Sequence, residues 1–321
     1  MRTLRIKNFF FSHFHLQLIM TDISSGAVDT EQLKGKSILI TGGASGLGQD
    51  ATLVFAKAGA YVTIADVQSA EKTVEELNSK GHHVQYVYGD VSSWDSLVSA
   101  FKAAIAFSPT KSIDIVAAFA GIDDAGHLID YATALEPSID GEILKPPGIR
   151  PVQVNLIGGF YTATLALHYA KLGARDTTKC FILVGSLAGY LDDTHDTIYM
   201  ASKFGARGLF RAIRGRAKDE LNLRCNLIAP WAMVTPMTRP VLEKMKDYGI
   251  EEGKGITFVK PEIMSNAVVR IAVDDSISGK AFAVVPDGAF DIGDDIEGGY
   301  GGPELQRLMK LRKEAGDFLT G

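Results

Sequence analysis

Tyr199 and Lys203 stand four residues apart, and Ser186 lies thirteen residues upstream of the tyrosine. On a helix, positions i and i+4 share one face, so the phenol and the ammonium can meet in one site. A free tyrosine has a pKa of about 10, too high for a base at neutral pH. A lysine ammonium about 4 Å away, at an effective dielectric near 20, favours the phenolate by roughly 4 kcal/mol, or about three pKa units. That brings Tyr199 into the range of a general acid–base catalyst, able to move a proton on and off a substrate oxygen. Ser186 supplies a hydroxyl that can hold that oxygen against the tyrosine. Only Tyr199, among ten tyrosines, has a lysine four residues on. Lysine's abundance alone gives roughly half such a match, so the pair draws its weight from its surroundings.

Those surroundings include a turn suited to a dinucleotide. Thr41-Gly42-Gly43-Ala44-Ser45-Gly46-Leu47-Gly48 follows an apolar run and opens a helical pattern, which is the context such a turn requires. Gly42 can take a backbone angle that other residues avoid. Gly46 leaves room for a phosphate to approach the backbone, and Gly48 lets the helix pack close to the sheet. The free N–H groups at the helix start then face a pyrophosphate. Gly42, Ser45, Gly46, Leu47 and Gly48 are the expected cofactor contacts, although the spacing is G-x-x-x-G-x-G rather than G-x-G-x-x-G. Glycine turn and Tyr–Lys–Ser set together spell hydride transfer.

Asp66 ends the next apolar run, 18 residues after Gly48. A carboxylate there can accept both hydroxyls of the adenosine ribose, and it would repel a 2'-phosphate. No arginine or lysine lies within the turn or directly after Asp66. NAD is therefore the expected cofactor; Asp66 as a plain turn cap is the alternative. Asp90 and Val91, after the third run, sit where the adenine edge should lie. Asp90 reads equally as a cap for the following helix.

Seven short apolar runs must position these groups: Ser37–Thr41, Tyr61–Ala65, Val84–Tyr88, Asp114–Phe119, Cys180–Val184, Arg224–Ala229 and Ala281–Val285. Helical periodicity lies between them, as in Gln49–Ala58 and Trp94–Ala106. Parallel strands buried on both faces read as such near-continuous runs. The alternation predicts an α/β fold: one Rossmann-type doubly wound parallel sheet of about seven strands, with helices on both faces. The expected catalytic domain spans 33–291, flanked by an N-terminal tail, 1–32, and a C-terminal extension, 292–321, with a short charged helix at Glu304–Glu314. Glu136–Pro151, rich in proline and charge, reads as a loop inserted after the fourth strand.

Composition narrows the function classes. The 321 residues are 46% apolar and 22% charged, ordinary for a globular chain with a sizeable core. A net charge of −5, with no basic face, gives no footing for nucleic acid. Cys180 and Cys225 lie inside apolar runs and read as buried free thiols, which suits a reducing compartment, the cytoplasm. No histidine spacing resembles a metal site, and no stretch is long enough to span a membrane. The first 21 residues are basic and acid-free, as in a mitochondrial presequence; a true start at Met20 is the simpler expectation.

The chain resembles the single-domain branch of the short-chain dehydrogenase/reductase family from about Leu33 to about Asp291. The motifs that carry the resemblance are T-G-G-A-S-G-L-G at Thr41, V-N-L-I-G with Asn155, G-S-L-A-G with Ser186 and Y-M-A-S-K at Tyr199. It implies a tetrad in which Asn155 orders a water linking Lys203 to solvent, Ser186 positions the carbonyl or alcohol, Tyr199 is the acid–base, and Lys203 also holds the nicotinamide ribose. It implies that Val234 and Thr235 contact the nicotinamide amide and that Thr238–Phe258 covers the substrate. The lid's apolar Val241, Leu242, Met245, Tyr248 and Ile250, among charged neighbours, fit a medium-sized, partly apolar alcohol or ketone. Asp192, Asp193 and His195 also lie within reach of the pocket but receive no role.

In this family the helices bearing Asn155 and Tyr199 commonly form a dimer contact, so a homodimer or homotetramer is expected. Gly158, Gly159, Ala201, Gly205 and Ala206 would permit that packing or serve the core. Two departures stand out: Ala118-Phe119-Ala120-Gly121 replaces the family's N-N-A-G, and Pro230-Trp231 replaces its Pro-Gly. Trp231 reads as a substrate platform or as core packing. The Asp66 preference for NAD favours oxidation of a secondary alcohol, since that pool is kept mostly oxidised in cells. Pro261–Asp291 with S-L-A-G is similar to NAD-linked 15-hydroxyprostaglandin dehydrogenases and their relatives in secondary metabolism. The competing readings are an NADPH ketoreductase and a dinucleotide-binding protein without redox turnover.

Overall fold

Ser37-Ile38-Leu39-Ile40-Thr41 forms β1 (Ser37–Thr41), buried along its whole length. Ile38 and Ile40 enter one hydrophobic core and Leu39 a second, on the opposite face, as the two-residue period of a strand requires. The structure is a computed structural model that describes residues 22–294, apart from 124, 125, 140, 142, 174–176, 192–195, 248, 250 and the side chains at 241, 244, 245 and 255. The stretches before Asp22 and after Asp294, with Met20 and the charged C-terminal helix, therefore lie outside the described residues.

After β1 come α1 (Gly46–Lys57), β2 (Tyr61–Asp66), α2 (Glu71–Asn78), β3 (His83–Tyr88), α3 (Trp94–Phe107), β4 (Ile115–Ala118) and α4 (Leu128–Ala132). Then follow α5 (Gly158–Tyr169), β5 (Lys179–Val184), α6 (Thr197–Leu221), β6 (Leu223–Pro230), α7 (Arg239–Asp247), β7 (Glu251–Glu252) and β8 (Gly255–Ile256). The described chain closes with α8 (Pro261–Val273), β9 (Ala281–Val285) and β10 (Gly288–Asp291). The main sheet runs β10-β9-β6-β5-β4-β1-β2-β3. Its pairings are parallel except that of β9 with β10. Residues of α1 and α8 pack on one face, with Leu77 of α2; residues of α3, α5 and α6 pack on the other. The doubly wound sheet is thus present.

It has eight strands rather than about seven. The missed strand, β10, is four residues long, begins at a glycine with φ +148°, and joins β9 antiparallel through a two-residue connection in which Gly288 faces Val285. An element that short has no periodicity to read. The two-residue pair β7–β8 was equally invisible.

Strand order reverses between β1 and β4, whose carboxyl ends carry the glycine turn and the Ala118–Gly121 segment. At such a switch point a crevice opens outside the strand ends. At the far edge, Asp22 bridges to Phe290 and Ile23 donates its N–H to the Ala289 carbonyl at 2.9 Å. Cys180 and Cys225 are buried free thiols, one in each core. Burial, with Cys180 adding to it, pushes the Cys225 thiol up to about 12.

Phe101 of α3 is fully buried in the second core. Phe101→Ala is expected to lower unfolding free energy by about 3–5 kcal/mol, read by urea denaturation. A loss below about 1 kcal/mol would mean that this face is not close-packed.

Candidate active site

Gly42 (φ +73°) and Gly46 (φ +52°) adopt backbone angles that side chains resist. A Cβ on Gly42 would lie 2.5 Å from the Ala120 nitrogen, and one on Gly48 would lie 2.0 Å from the Gly42 carbonyl oxygen. The turn is therefore wedged between the segment after β4 and the start of α1. Ser45 is the N-cap residue of α1 but makes no side-chain cap, so the first-turn N–H groups are left for an anionic ligand. Leu47 packs its side chain against the first core. The bare helix start and the glycines at 42, 46 and 48 fit a dinucleotide pyrophosphate.

Asp66 is buried at the end of β2. One carboxylate oxygen accepts the Ala44 N–H at 2.9 Å and the other the Gln68 N–H at 2.9 Å. Its negative charge thus lies against the glycine turn and also stitches that turn to the strand. Asp90 accepts from the backbone and hydroxyl of Ser92. The helix cap of α3 falls to Ser93, so Asp90 closes a local turn and does not cap the helix. Val91 is buried, and Gly158 makes room for it: a Cβ there would lie 2.6 Å from Val91 Cγ2. Thr235, buried, lies beside the turn, with its Cβ 3.6 Å from where a side chain on Gly46 would begin. Val234 is exposed.

The chemical end is built on α6. Asp196 caps this helix and accepts the Tyr199 N–H at 2.7 Å, which fixes the tyrosine in the first turn. Lys203, one turn on, is buried; its Nζ donates to the Val184 carbonyl at 3.3 Å and lies 5.5 Å from the centroid of the Tyr199 ring. The ammonium therefore also makes a cation–π contact, which the spacing argument did not include. β5 runs out through Val184 to Ser186, whose Oγ accepts the Ala188 N–H at 3.1 Å and caps a short 3-10 turn, Leu187–Gly189. A Cβ on Gly189 would lie 2.8 Å from the Lys203 carbonyl oxygen, so the serine turn rests directly on α6.

Asn155 lies in a π-helical stretch, Val152–Ile157, that leads into α5. Its side chain exchanges two hydrogen bonds with the Ile122 backbone, at 2.8 and 2.9 Å. It also donates to Ser202 Oγ at 3.0 Å, and Ser202 donates to the Tyr199 carbonyl at 2.6 Å. Gly121 fits between: a Cβ there would lie 3.3 Å from Asn155 Oδ1 and 3.6 Å from Lys203 Nζ. Asn155, Lys203, Tyr199 and the Ser186 turn are thus gathered at the ends of β4 and β5. Burial lowers the Lys203 ammonium to about 8, with Asp123 pulling the other way.

Three supporting residues escaped the sequence reading. Asp196 carried a legible signal, an aspartate just before a helical run. Ser202 sits inside Y-M-A-S-K, but only the fold brings it to Asn155. Asp123 has no signal in its neighbours. Trp231 is 42% exposed, which excludes core packing for its ring. In the region taken for a lid, α7 occupies Arg239–Asp247 and Leu242 is half-buried. Tyr248, Ile250, Asp192, Asp193 and His195 lie outside the described residues, and of Val241 and Met245 only the backbone is described.

The family profile of the short chain dehydrogenases matches residues 36–246. The chain belongs to this family. As a short-chain dehydrogenase it is an oxidoreductase served by a nicotinamide dinucleotide. The 5'-hydroxyaverantin dehydrogenase of Dothistroma septosporum is 44% identical over 298 residues, 90% of this chain and 97% of that protein. An NADP-dependent dehydrogenase of Cochliobolus lunatus is 32% identical over 212 residues, 63% of this chain and 72% of that protein. A solved short-chain type dehydrogenase/reductase from Mycobacterium marinum shares the fold, with a TM-score of 0.66 at 22% identity over 80% of this chain and 97% of that one. Among the described residues no helix is long and apolar enough to cross a membrane, and no group of His, Cys, Asp or Glu could hold a metal ion.

Because Lys203 has a lower pKa folded than unfolded, the unfolded chain binds more protons between about pH 8 and 10.5, and stability rises with pH across that window. The burial penalty is full below about pH 8. Lys203→Met should therefore unfold at a higher urea concentration than wild type at pH 7, by about 3 kcal/mol. That advantage should shrink towards pH 10.5. A difference independent of pH would show that Lys203 is not charged and buried in the native protein.

Proposed function

We propose that the chain oxidises a secondary alcohol with NAD, and that the alcohol is 5'-hydroxyaverantin or a close analogue. The observation that carries this reading is the gathering of Asn155, the Ser186 turn, Tyr199 and Lys203 at the strand ends beside the glycine turn. Ser186 hydrogen-bonds the substrate oxygen, and Tyr199 takes its proton. The Lys203 ammonium favours the phenolate and holds the nicotinamide ribose, while Asn155 orders a water that links Lys203 to solvent. A nicotinamide dinucleotide held by these residues would supply the acceptor for the hydride of the carbinol carbon. The alcohol thus loses a hydride and a proton and becomes a ketone.

Gly42, Ser45, Gly46, Leu47 and Gly48 hold the pyrophosphate in this reading. Asp66 holds the adenosine ribose, Asp90 and Val91 flank the adenine, and Val234 and Thr235 flank the nicotinamide amide. The Asp66 charge supports NAD, because a 2'-phosphate would meet it beside the turn, and the residue after it is Val67. The second reading is an NADPH-dependent ketoreductase; the Cochliobolus relative, named an NADP-dependent dehydrogenase, supports its cofactor.

The substrate assignment rests on the 44% identical Dothistroma enzyme, which this chain matches over 97% of its length. Exposed apolar side chains beyond the ends of β5 and β6, Leu191, Trp231, Val234 and Met237, suit a partly apolar substrate, with Trp231 a platform for a flat ring. One catalytic unit, residues 33–291, carries this chemistry. Two copies pair through α5 and α6, where Phe160 and Phe204 are exposed, with Ile157 exposed just before α5. The buried thiols suit the cytoplasm.

Titration of NADH and NADPH into the protein, followed by fluorescence, tests the cofactor. NADH should bind at least about tenfold more tightly. Asp66→Ala should close that gap and weaken both, because the Ala44 N–H loses its acceptor. A preference for NADPH would overturn the Asp66 argument.

Turnover of 5'-hydroxyaverantin with NAD tests the reaction. Tyr199→Phe should lower kcat by about 10²–10⁴-fold with NADH affinity unchanged. Full activity in that variant would remove Tyr199 from the acid–base role.

A further inference from the structure

Several groups outside the proposed machinery converge on one carboxylate. Asp294 lies three residues past β10 and is 2% exposed. Its Oδ1 accepts from Arg207 Nη2 at 3.0 Å and Arg211 Nη1 at 2.9 Å. Its Oδ2 accepts from Arg207 Nε at 3.1 Å and from the Tyr190 hydroxyl at 2.8 Å. Arg214 donates to the Asp294 main-chain carbonyl. Arg207 also donates to the Gly189 carbonyl at 3.4 Å, and its guanidinium lies 4.3 Å from the centroid of the Tyr190 ring.

The position of these partners gives the cluster its meaning. Arg207 and Arg211 continue the i+4 series of Tyr199 and Lys203 along α6. Gly189 and Tyr190 close the turn that begins at Ser186. One carboxylate from the far end of the chain thus clamps the serine turn onto the helix of the acid–base. Buried ion clusters of this kind contribute little net stability compared with apolar packing, but they fix geometry through directional, bidentate hydrogen bonds.

We propose that Asp294 is a positioning residue of the active site: with Tyr190 and Arg207 it holds the turn bearing Ser186 against the helix bearing Tyr199 and Lys203. The inference rests on the roles given above to those three residues. Burial alone would push the Asp294 carboxyl up. Hydrogen bonds from Arg207 and Tyr190, and the charges of Arg207 and Arg211, outweigh it and hold the carboxyl below the ordinary value, so the clamp stays charged at neutral pH.

Tyr190→Phe is the mildest test, since it removes one hydroxyl and keeps the ring under Arg207; Asp294→Asn and Asp294→Glu accompany it. Amide hydrogen exchange at residues 188–191 should quicken about tenfold in Tyr190→Phe and more in Asp294→Asn, with β1 and α1 exchanging as in wild type. In the same two variants kcat with 5'-hydroxyaverantin and NAD should fall about three- to tenfold with NADH affinity unchanged, and Asp294→Glu should recover part of the loss. Unchanged exchange at the turn overturns the proposal. So does uniformly faster exchange with kcat per folded molecule intact, which marks a purely structural clamp. If wild type turns over no alcohol, the functional reading fails by itself, and local exchange at the turn still decides whether the clamp exists.

Discussion

Burial of the Lys203 ammonium is the constraint to which the active site answers. Taking that charge out of water is costly. The Val184 carbonyl and the Asp123 carboxylate offset only part of the cost, and a pKa near 8 records the imbalance. From α6 the lysine reaches the end of β5, where the Val184 carbonyl accepts from its Nζ. The close seat of α6 excludes a side chain at Gly189, against the Lys203 main-chain carbonyl, and Asn155 crowds one at Gly121 beside the ammonium. Two glycines about seventy positions apart thus border the lysine, one under the backbone of its helix and one beside Asn155, as close packing leads one to expect. Stability is given up locally for a cation held next to the tyrosine.

The two ends of the site are one piece. The glycine turn touches Ala120 after β4 on one side and Thr235 after β6 on the other. The Ile122 backbone joins the same β4 segment to Asn155, and through Ser202 to Tyr199. Groups proposed to hold the cofactor and groups proposed to move the proton therefore share one backbone frame. Asp66 contributes to it by tying the turn to β2, a task beyond the ribose contact that its place at a strand end suggested.

Much of this was legible because the sheet is buried on both faces. β1, β5 and β6 read as continuous apolar runs for that reason, and the Tyr199–Lys203 interval and the glycine turn are local patterns. Features that depend on distant partners were hidden. β10 exists because β9 is beside it, and Asp294 matters only once α6 and Tyr190 are near. Gly158 and Gly205, read either as subunit contact or as core, both make room for side chains of their own chain, Val91 and Leu156. On α6, Ala201, Phe204 and Gly208 form the outward stripe instead.

The segment at Asp22 has a consequence of another kind. Its carboxylate accepts the Ala289 N–H at 2.8 Å, and Ile23 donates to the Ala289 carbonyl, so a few residues lie over the outer rim of β10. An uncovered strand rim is a template on which another chain can add and aggregate. Shortening the chain past Ser24 would strip that cover while leaving every group of the active site in place. The damage would show in colloidal behaviour, as self-association on storage or concentration, long before it showed in catalysis.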